Sequence, residues 1–209
     1  MMITPEIENW LSDGGYEHHC FISYPRTPDM LECAERVKES IENDLSSLID
    51  SPRVFLDTKL EGGAIWRKEL RRALCRSVTM VALCSPVYYH PKHRMCGREW
   101  AGMSRLGARR LRDQDFHNII PLIFRAPEHL PPSVEKFQYI DISRASLVGR
   151  SYYRTKAFRA HIREVSDRIV KVAVTISRNG AVADCGAFKL PGSSPFVNYS
   201  PAPPPESLW

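Results

Sequence analysis

Five short, largely apolar runs alternate in this chain with stretches in which apolar residues recur every three or four positions. This alternation constrains the fold more than any other feature. The runs are residues 19–24, 54–56, 78–84, 118–124 and 137–142. A continuous run such as 78–84 is typical of a strand that is covered on both faces in a parallel sheet. Strands that alternate with helices predict right-handed crossovers and a flavodoxin-like, doubly wound α/β sheet.

Two stretches predict long amphipathic helices, because spacings of three and four place their apolar residues on one helix face. The first begins at Asp29 and has Leu31, Ala34, Val37, Ile41, Leu45 and Leu48. The last has Phe158, Ile162, Val165, Ile169, Val172, Ala173 and Ile176. Shorter helices are predicted over 65–74 and 96–106. Pro121 predicts a bulge or an edge position for the fourth strand.

The chain changes character after Arg178, since six of its 16 prolines lie between residues 191 and 205. We therefore predict an N-terminal extension over residues 1–15, one α/β domain over 16–178, and a Pro/Gly/Ser-rich tail over 179–209. A tail of this composition is expected to be extended or mobile and suited to docking.

Composition and charge exclude several classes of protein. Of the 209 residues, 43% are hydrophobic and 25% are charged, which is typical of a globular protein. No apolar run is long enough to span a membrane, and the N-terminus does not resemble a signal peptide, so we expect neither membrane insertion nor secretion. The net charge of +5 is mild, and its basic clusters are typical of solvated helix faces, so nucleic-acid binding is not expected.

The cysteines favour a reducing, cytoplasmic compartment. They form no CxxC pair, and most lie in apolar, periodic segments where a free thiol behaves as a small hydrophobe; they are Cys20, Cys33, Cys75, Cys84, Cys96 and Cys185. We therefore predict no structural disulfide. His90 and His93 near Cys96 make a poor zinc site because a proline interrupts them, so no metal site is expected.

The predicted topology alone indicates where the functional site lies. In doubly wound sheets, ligands bind outside the carboxyl ends of the strands, which here means the loops over residues 24–29, 57–64 and 85–95. The chain has no GxxxxGK[ST], GxGxxG or GxSxG motif, so common nucleotide-binding and hydrolase sites of such folds are excluded. Where a phospho-acceptor receiver would need an acidic pair, the first strand ends in Ser23 and Tyr24.

Three segments taken in order resemble the Toll/interleukin-1 receptor (TIR) domain, especially its stand-alone bacterial branch. The first is Phe-Ile-Ser-Tyr followed by Pro-Arg-Thr-Pro-Asp, at residues 21–29. The second is Val-Phe-Leu-Asp before Leu-Glu-Gly-Gly, at 54–63, with Trp66 beyond it. The third runs from Val-Ala-Leu-Cys-Ser-Pro at 81–86 to Cys-Gly-Arg-Glu-Trp at 96–100. The resemblance covers about residues 16–175 and implies a five-stranded parallel sheet.

For many members of that branch, the resemblance also implies cleavage of the nicotinamide–ribose bond of NAD, with NAD as substrate and no cofactor. The acid of the family's CxxE motif corresponds to Glu99. Cys96 and Glu99 are three residues apart, so both face one side of a helix start. There the helix dipole favours the ionised carboxylate. A fixed anion stabilises the oxocarbenium-like sugar left when neutral nicotinamide departs.

The resemblance makes other residues candidates for substrate binding. Phe21, Ser23 and Tyr24 lie at the end of the first strand, and Arg26 is a candidate to bind pyrophosphate. Asp57 and Trp66 border a loop that we expect to gate the site. NAD-cleaving relatives often carry an aromatic residue before the cysteine. Met95 stands there in this chain, so Tyr88 or Tyr89 is expected to supply the stacking surface, whereas Trp100 is expected to pack in the core.

Two main classes of function remain open from the sequence, and a third, a virulence-type TIR protein that imitates host adaptors, is disfavoured by the absence of an export signal. One is a cytoplasmic NAD nucleosidase or cyclase of bacterial anti-phage defence. Its product is ADP-ribose or a cyclic ADP-ribose isomer, which a downstream effector senses. The other is a non-catalytic scaffold that acts by homotypic TIR–TIR association. A homo-oligomer is expected in both cases, because in the resembling family a neighbouring protomer often completes the active site.

Overall fold

The chain folds around one sheet of five parallel strands. The structure is a computed structural model and describes residues 5–58, 63–112, 114–144 and 149–199. The strands are β1 (His18–Ser23), β2 (Val54–Leu56), β3 (Ser77–Cys84), β4 (Ile119–Ile123) and β5 (Ile140–Asp141). Their order in the sheet is β2-β1-β3-β4-β5. This confirms the predicted five-stranded, flavodoxin-like α/β fold.

Helices connect the strands and cover both faces of the sheet. They are α1 (Pro5–Asp13), α2 (Pro28–Leu45), α3 (Ala64–Cys75), α4 (Pro86–Tyr89), α5 (Arg94–Leu111), α6 (Pro132–Glu135) and α7 (Lys156–Arg178). Three short 3-10 helices lie at Pro91–His93, Pro127–His129 and Gly149–Arg154. No helix in the described part of the chain is long and apolar enough to cross a membrane.

Strand β3 is the centre of the core, and all eight of its residues are buried. Strand alternation sends Cys20 and Ile22 of β1 toward the apolar cluster formed with α2 and α7. It sends Phe21 toward the opposite cluster, which is formed with α3 and α5. Ser23 follows Phe21 by two residues and therefore lies on the α5 side.

The fourth strand differs from the expectation for Pro121. Strand β4 lies between β3 and β5, so it is internal rather than at an edge. Its register with β3 is unbroken, with Pro121 opposite Ala82, so there is no bulge either. Strand β5 pairs only with Leu122 and Ile123, and Pro121 lies just before that short pairing.

The prediction of an extended or mobile tail is wrong for residues 179–199. The segment 181–199, called the strap below, has no regular secondary structure but packs against the domain. Tyr16 donates a hydrogen bond to the Ala181 carbonyl (3.1 Å). Phe188 and Phe196 are buried in the α3/α5 cluster. Proline content therefore indicated the absence of helix and strand correctly, but apolar side chains decide whether such a segment packs.

The prediction of no structural disulfide is also wrong. Cys75, the last residue of α3, is bonded to Cys185 of the strap, with the two Cα atoms 5.8 Å apart. The remaining four cysteines are free and buried, as predicted. The paired thiols are 110 residues apart, and sequence spacing does not show which cysteines meet. The argument from cysteines for a reducing compartment therefore loses its support.

Candidate active site

A carboxylate from α5 meets a hydroxyl from the end of β1. The Ser23 hydroxyl donates to Oε2 of Glu99 at 2.6 Å. The Tyr88 hydroxyl lies 2.9 Å from the same Ser23 oxygen. Tyr88 also reaches the carbonyl of Cys96 at 3.4 Å. The carboxyl end of β1, the short helix α4 and the start of α5 thus converge on Glu99, where topology placed the site.

Local sequence explains how this corner is built. Ser85 caps α4 by accepting a hydrogen bond from the Tyr88 backbone N–H at 3.3 Å. Pro91 opens the 3-10 turn that leads into α5. Helix α5 begins at Arg94, so Glu99 lies in its second turn rather than its first. The side chain of Glu99 is on the buried face of the helix and only 5% exposed.

Burial changes the expected charge state of Glu99. It raises the pKa of this carboxyl to about 7, and the hydrogen bond from Ser23 and the charge of Arg26 oppose that rise only in part. Asp57 raises the pKa further and Arg98 lowers it. The expectation from the helix dipole, an acid that stays readily ionised, therefore had the wrong sign. The dipole acts weakly beyond the first turn, whereas desolvation acts on the whole carboxylate.

A second cluster forms beside the first, around Asp57. The Trp66 indole donates to Oδ2 of Asp57 at 2.6 Å. Arg26 forms an ion pair with the same oxygen and lies over the Trp66 ring, 4.1 Å from its centroid. The Tyr24 hydroxyl donates to the Asp57 carbonyl at 2.6 Å. These contacts tie the loop after β1 to the loop after β2 and to the start of α3.

Cys96 joins the two clusters, because its thiol contacts the Tyr24 carbonyl at 3.4 Å. Of the nine candidate residues, eight therefore lie in one connected set. The loop expected to gate the site continues through residues 59–62, which lie outside the described residues. The Glu99 side chain is only 5% exposed, and its second oxygen, Oε1, accepts no hydrogen bond from the described residues.

Two candidates do not have the positions that substrate binding needs. Phe21 is buried and stacks on Phe55 with ring centroids 5.2 Å apart, so it fills the core beneath the site. Tyr88 is 0% exposed and packs edge-on against Tyr89, so its face is closed to a nicotinamide ring. Tyr88 instead contributes its hydroxyl. Trp100 packs against Phe137 in the core, as predicted.

A small cavity adjoins the Asp57 cluster. Its volume is about 320 Å³, and Leu56, Asp57 and Trp66 contribute to its lining. It is within the size range of pockets that take small ligands. No group of three or more His, Cys, Asp and Glu side chains suited to a metal occurs in the ranges that the structure describes.

Sequence reasoning missed the strap residue Phe196, which packs against the ring of Tyr88 with centroids 6.0 Å apart. The available signal was three aromatic residues in an otherwise linker-like segment: Phe188, Phe196 and Tyr199. Aromatic side chains bury large areas and are uncommon in segments that stay solvated.

Comparison with known families agrees with the geometry. The chain matches the TIR domain family over residues 20–157. No curated protein matches the chain. The matched range includes most of β1, all of the other four strands and every candidate residue, and it ends at the start of α7. The match covers more than half of the sequence, so this chain belongs to the TIR domain family.

Proposed function

We propose that this protein is a TIR-domain NAD nucleosidase or cyclase, which cleaves the nicotinamide–ribose bond. The observation that carries the proposal is the Glu99 carboxylate, which is buried at the carboxyl end of the parallel strands and held by the Ser23 hydroxyl. Buried acids with a strongly raised pKa concentrate at functional sites. A purely structural acid in a core is normally paired more fully than by one hydroxyl.

The chemistry requires an anion beside the reacting sugar. As the bond from ribose to nicotinamide breaks, the pyridinium takes the electron pair and leaves as neutral nicotinamide. Positive charge then develops on the ribose ring, and the ionised Glu99 stabilises it. Water captures the sugar to give ADP-ribose, or an oxygen or nitrogen of the same molecule captures it to give a cyclic isomer. The free Oε1 is the atom available to contact the ribose.

Binding of NAD would use the Asp57 cluster. Arg26 carries a guanidinium suited to pyrophosphate and is held by Asp57 and Trp66, so little side-chain entropy is lost when it binds an anion. Glu99 is only 5% exposed, so substrate binding must widen access to its carboxylate. Arrival of the cationic nicotinamide ring lowers the pKa of Glu99 and favours the ionised form.

The second candidate is a scaffold that acts by TIR–TIR association without catalysis. The observation in its favour is that Glu99 is only 5% exposed in the isolated chain. The two candidate functions are compatible in an enzyme whose active site opens when TIR domains associate. We propose bacterial anti-phage defence as the setting of the catalytic form, on the resemblance alone.

The experiment is incubation of the purified full chain with NAD over a wide range of protein concentrations, with products identified by mass and retention time. Nicotinamide and ADP-ribose, or a cyclic isomer of it, are expected, with specific activity that rises with protein concentration. Intact NAD at every concentration, in a protein shown to be folded and assembled, would favour the scaffold.

A further inference from the structure

The strap lies against the first turns of α5, the turns that carry Glu99. The Arg98 Nε donates to the Pro191 carbonyl at 2.7 Å. At Gly97 the strap lies so close to the helix that a Cβ would lie 1.8 Å from Oγ and 2.5 Å from Cβ of Ser194. One turn later, Leu190 and Phe188 lie against Gly102. Glycines at 97 and 102 thus leave room on this helix for a covering segment.

Phe196 of the strap is buried in the core. It is 2% exposed and its ring lies among those of Tyr89 (5.1 Å), Trp100 (5.6 Å) and Tyr88 (6.0 Å), measured between centroids. All three contacts are edge-to-face, the arrangement that aromatic rings prefer. Because Tyr88 is fully enclosed, removing Phe196 leaves it free to shift.

A short series of contacts connects Phe196 to Glu99. Phe196 packs on the Tyr88 ring. The hydroxyls of Tyr88 and Ser23 are hydrogen-bonded at 2.9 Å, and the Ser23 hydroxyl donates to the Glu99 carboxylate at 2.6 Å. Two anchors hold the strap on either side of Phe196. One is the disulfide between Cys185 and Cys75. The other is the hydrogen bond from the Tyr199 hydroxyl to the His129 carbonyl, at 2.9 Å.

We infer that Phe196, held in place by the disulfide-anchored strap, is a positioning residue for Glu99. Its ring fixes Tyr88, through which Ser23 is held against the carboxylate, and it keeps water out of the corner behind α5. The inference rests on the proposed function only in giving Glu99 a catalytic role, because the physical coupling between strap and carboxylate is measurable without substrate.

The ionisation of Glu99 separates this role from a merely structural one. The charges that act on Glu99 belong to Arg26, Asp57 and Arg98, and Phe196→Ala removes none of them. Displacement of Arg98, which the strap holds through the Pro191 carbonyl, or loss of the Ser23 hydrogen bond would raise the Glu99 pKa, so a fall in that pKa reports water access. General loss of stability does not move this pKa in molecules that remain folded.

The experiment is a carboxyl titration of the full chain by NMR with 13C-labelled glutamate, in which the Glu99 signal is assigned from its absence in Glu99→Gln. In Phe196→Ala, water that enters the corner behind α5 is expected to lower the Glu99 pKa by about one unit, from about 7 toward its ordinary value of 4.5. This fall is expected to outweigh the rise that loss of the Ser23 hydrogen bond would cause, because desolvation is the largest cause of the shift. Phe196→Leu refills most of the space and is expected to return the Glu99 pKa most of the way to its wild-type value. Val197→Ala is the matched control, because Val197 is 63% exposed on the same strap.

The second part of the experiment breaks the Cys75–Cys185 disulfide and leaves the Phe196 side chain unchanged. A dithiol reductant transfers two electrons and two protons to the Cys75–Cys185 disulfide, giving two thiols and the oxidised reductant. The Glu99 pKa is expected to fall in the reduced wild type and in Cys185→Ser, provided that thermal melts show both to be folded. An unchanged Glu99 pKa in the folded forms of both parts would overturn the inference.

The outcomes also separate this inference from the proposed function. A shifted pKa with no NAD turnover in any form retains the positioning role and removes the enzymatic one. NAD turnover with an unshifted pKa retains the enzyme and removes the role of Phe196.

Discussion

At the residue scale, the proposed function depends on a single carboxyl group that the fold makes costly to ionise. Glu99 is buried on the inner face of α5, and its pKa is raised to about 7 by desolvation. In the unfolded chain the same group titrates near 4.5. Below pH 4.5 the group is protonated in both states and does not affect stability. Between 4.5 and 7 only the unfolded state loses its proton, so stability falls as pH rises.

Glu99→Gln is therefore expected to stabilise the fold at high pH. The raised pKa corresponds to a cost of roughly 3 kcal/mol above pH 7, of which the variant should recover about 1–3 kcal/mol. Little difference is expected at pH 4. The measurement is denaturant unfolding of both proteins at pH 4, 6 and 8. Buried His19, whose pKa is lowered to about 4, changes stability in the opposite direction, so the difference between proteins is the quantity to compare.

A variant that is less stable than wild type at pH 8 would contradict the burial of an uncompensated carboxylate.

The same pKa predicts the pH dependence of catalysis. The proposed role of Glu99 needs the ionised form, so kcat/KM for NAD should rise with pH through about 7 and then level off. Tyr88 titrates far above this range because burial raises its pKa. The check is the initial rate of NAD loss from pH 5 to 9 at low substrate. A rate that falls through pH 7 would indicate a general acid in place of a stabilising anion.

At the element scale, the close contact between α5 and the strap predicts an unusual effect of a helix glycine. Replacing a glycine inside a helix with alanine ordinarily stabilises it by about 1 kcal/mol. At Gly97 the added Cβ would lie 1.8 Å from the Ser194 Oγ. Gly97→Ala is therefore expected to destabilise the protein by about 1–3 kcal/mol through overpacking.

Removal of the opposing side chain tests the cause. Ser194→Gly, combined with Gly97→Ala, is expected to restore most of the lost stability, measured by thermal melts of the two single variants and the double variant. If Gly97→Ala stabilises the protein, the strap does not lie where the structure places it.

The sequence was most informative for elements whose pattern is local. The continuous apolar run at 78–84 predicted β3, and regular spacing from Phe158 to Ile176 predicted α7. Glu99 shares a helix face with Cys96, Met103 and Leu106, so the spacing already indicated its burial. The helix dipole, which indicates an ionised acid, is the weaker of the two effects here. The pairing of Ser23 with Glu99 spans 76 residues, and only topology and the family resemblance brought the two together.

The strap could not be predicted, because a segment without regular structure has no periodicity to read. Its proline content resembles that of a linker, whereas its attachment depends on a few aromatic residues and one disulfide. Contacts between the strap and α5 are non-local, and no spacing rule encodes them.

At the scale of the whole molecule, the strap makes the C-terminal segment part of the fold. A disulfide closing a loop of this length contributes roughly 2–4 kcal/mol. Reductant is therefore expected to lower the melting temperature by roughly 5–15 °C, and a chain ending at residue 179 should lose at least as much. The control is Cys75→Ser combined with Cys185→Ser, whose melting temperature reductant should not change.

An unchanged melting temperature in both the reduced and the shortened protein would show that the strap does not support the core.

The proposed NAD cleavage depends on the Glu99 carboxylate, and this dependence is tested by comparing NAD turnover by wild type, Glu99→Gln and Glu39→Gln at pH 8. Glu39 is an exposed acid on α2 and serves as the matched control. Loss of the preorganised anion is expected to lower turnover about a hundredfold or more in Glu99→Gln, with an unimpaired thermal melt and full activity in Glu39→Gln. Wild-type turnover by a folded Glu99→Gln protein would contradict the account.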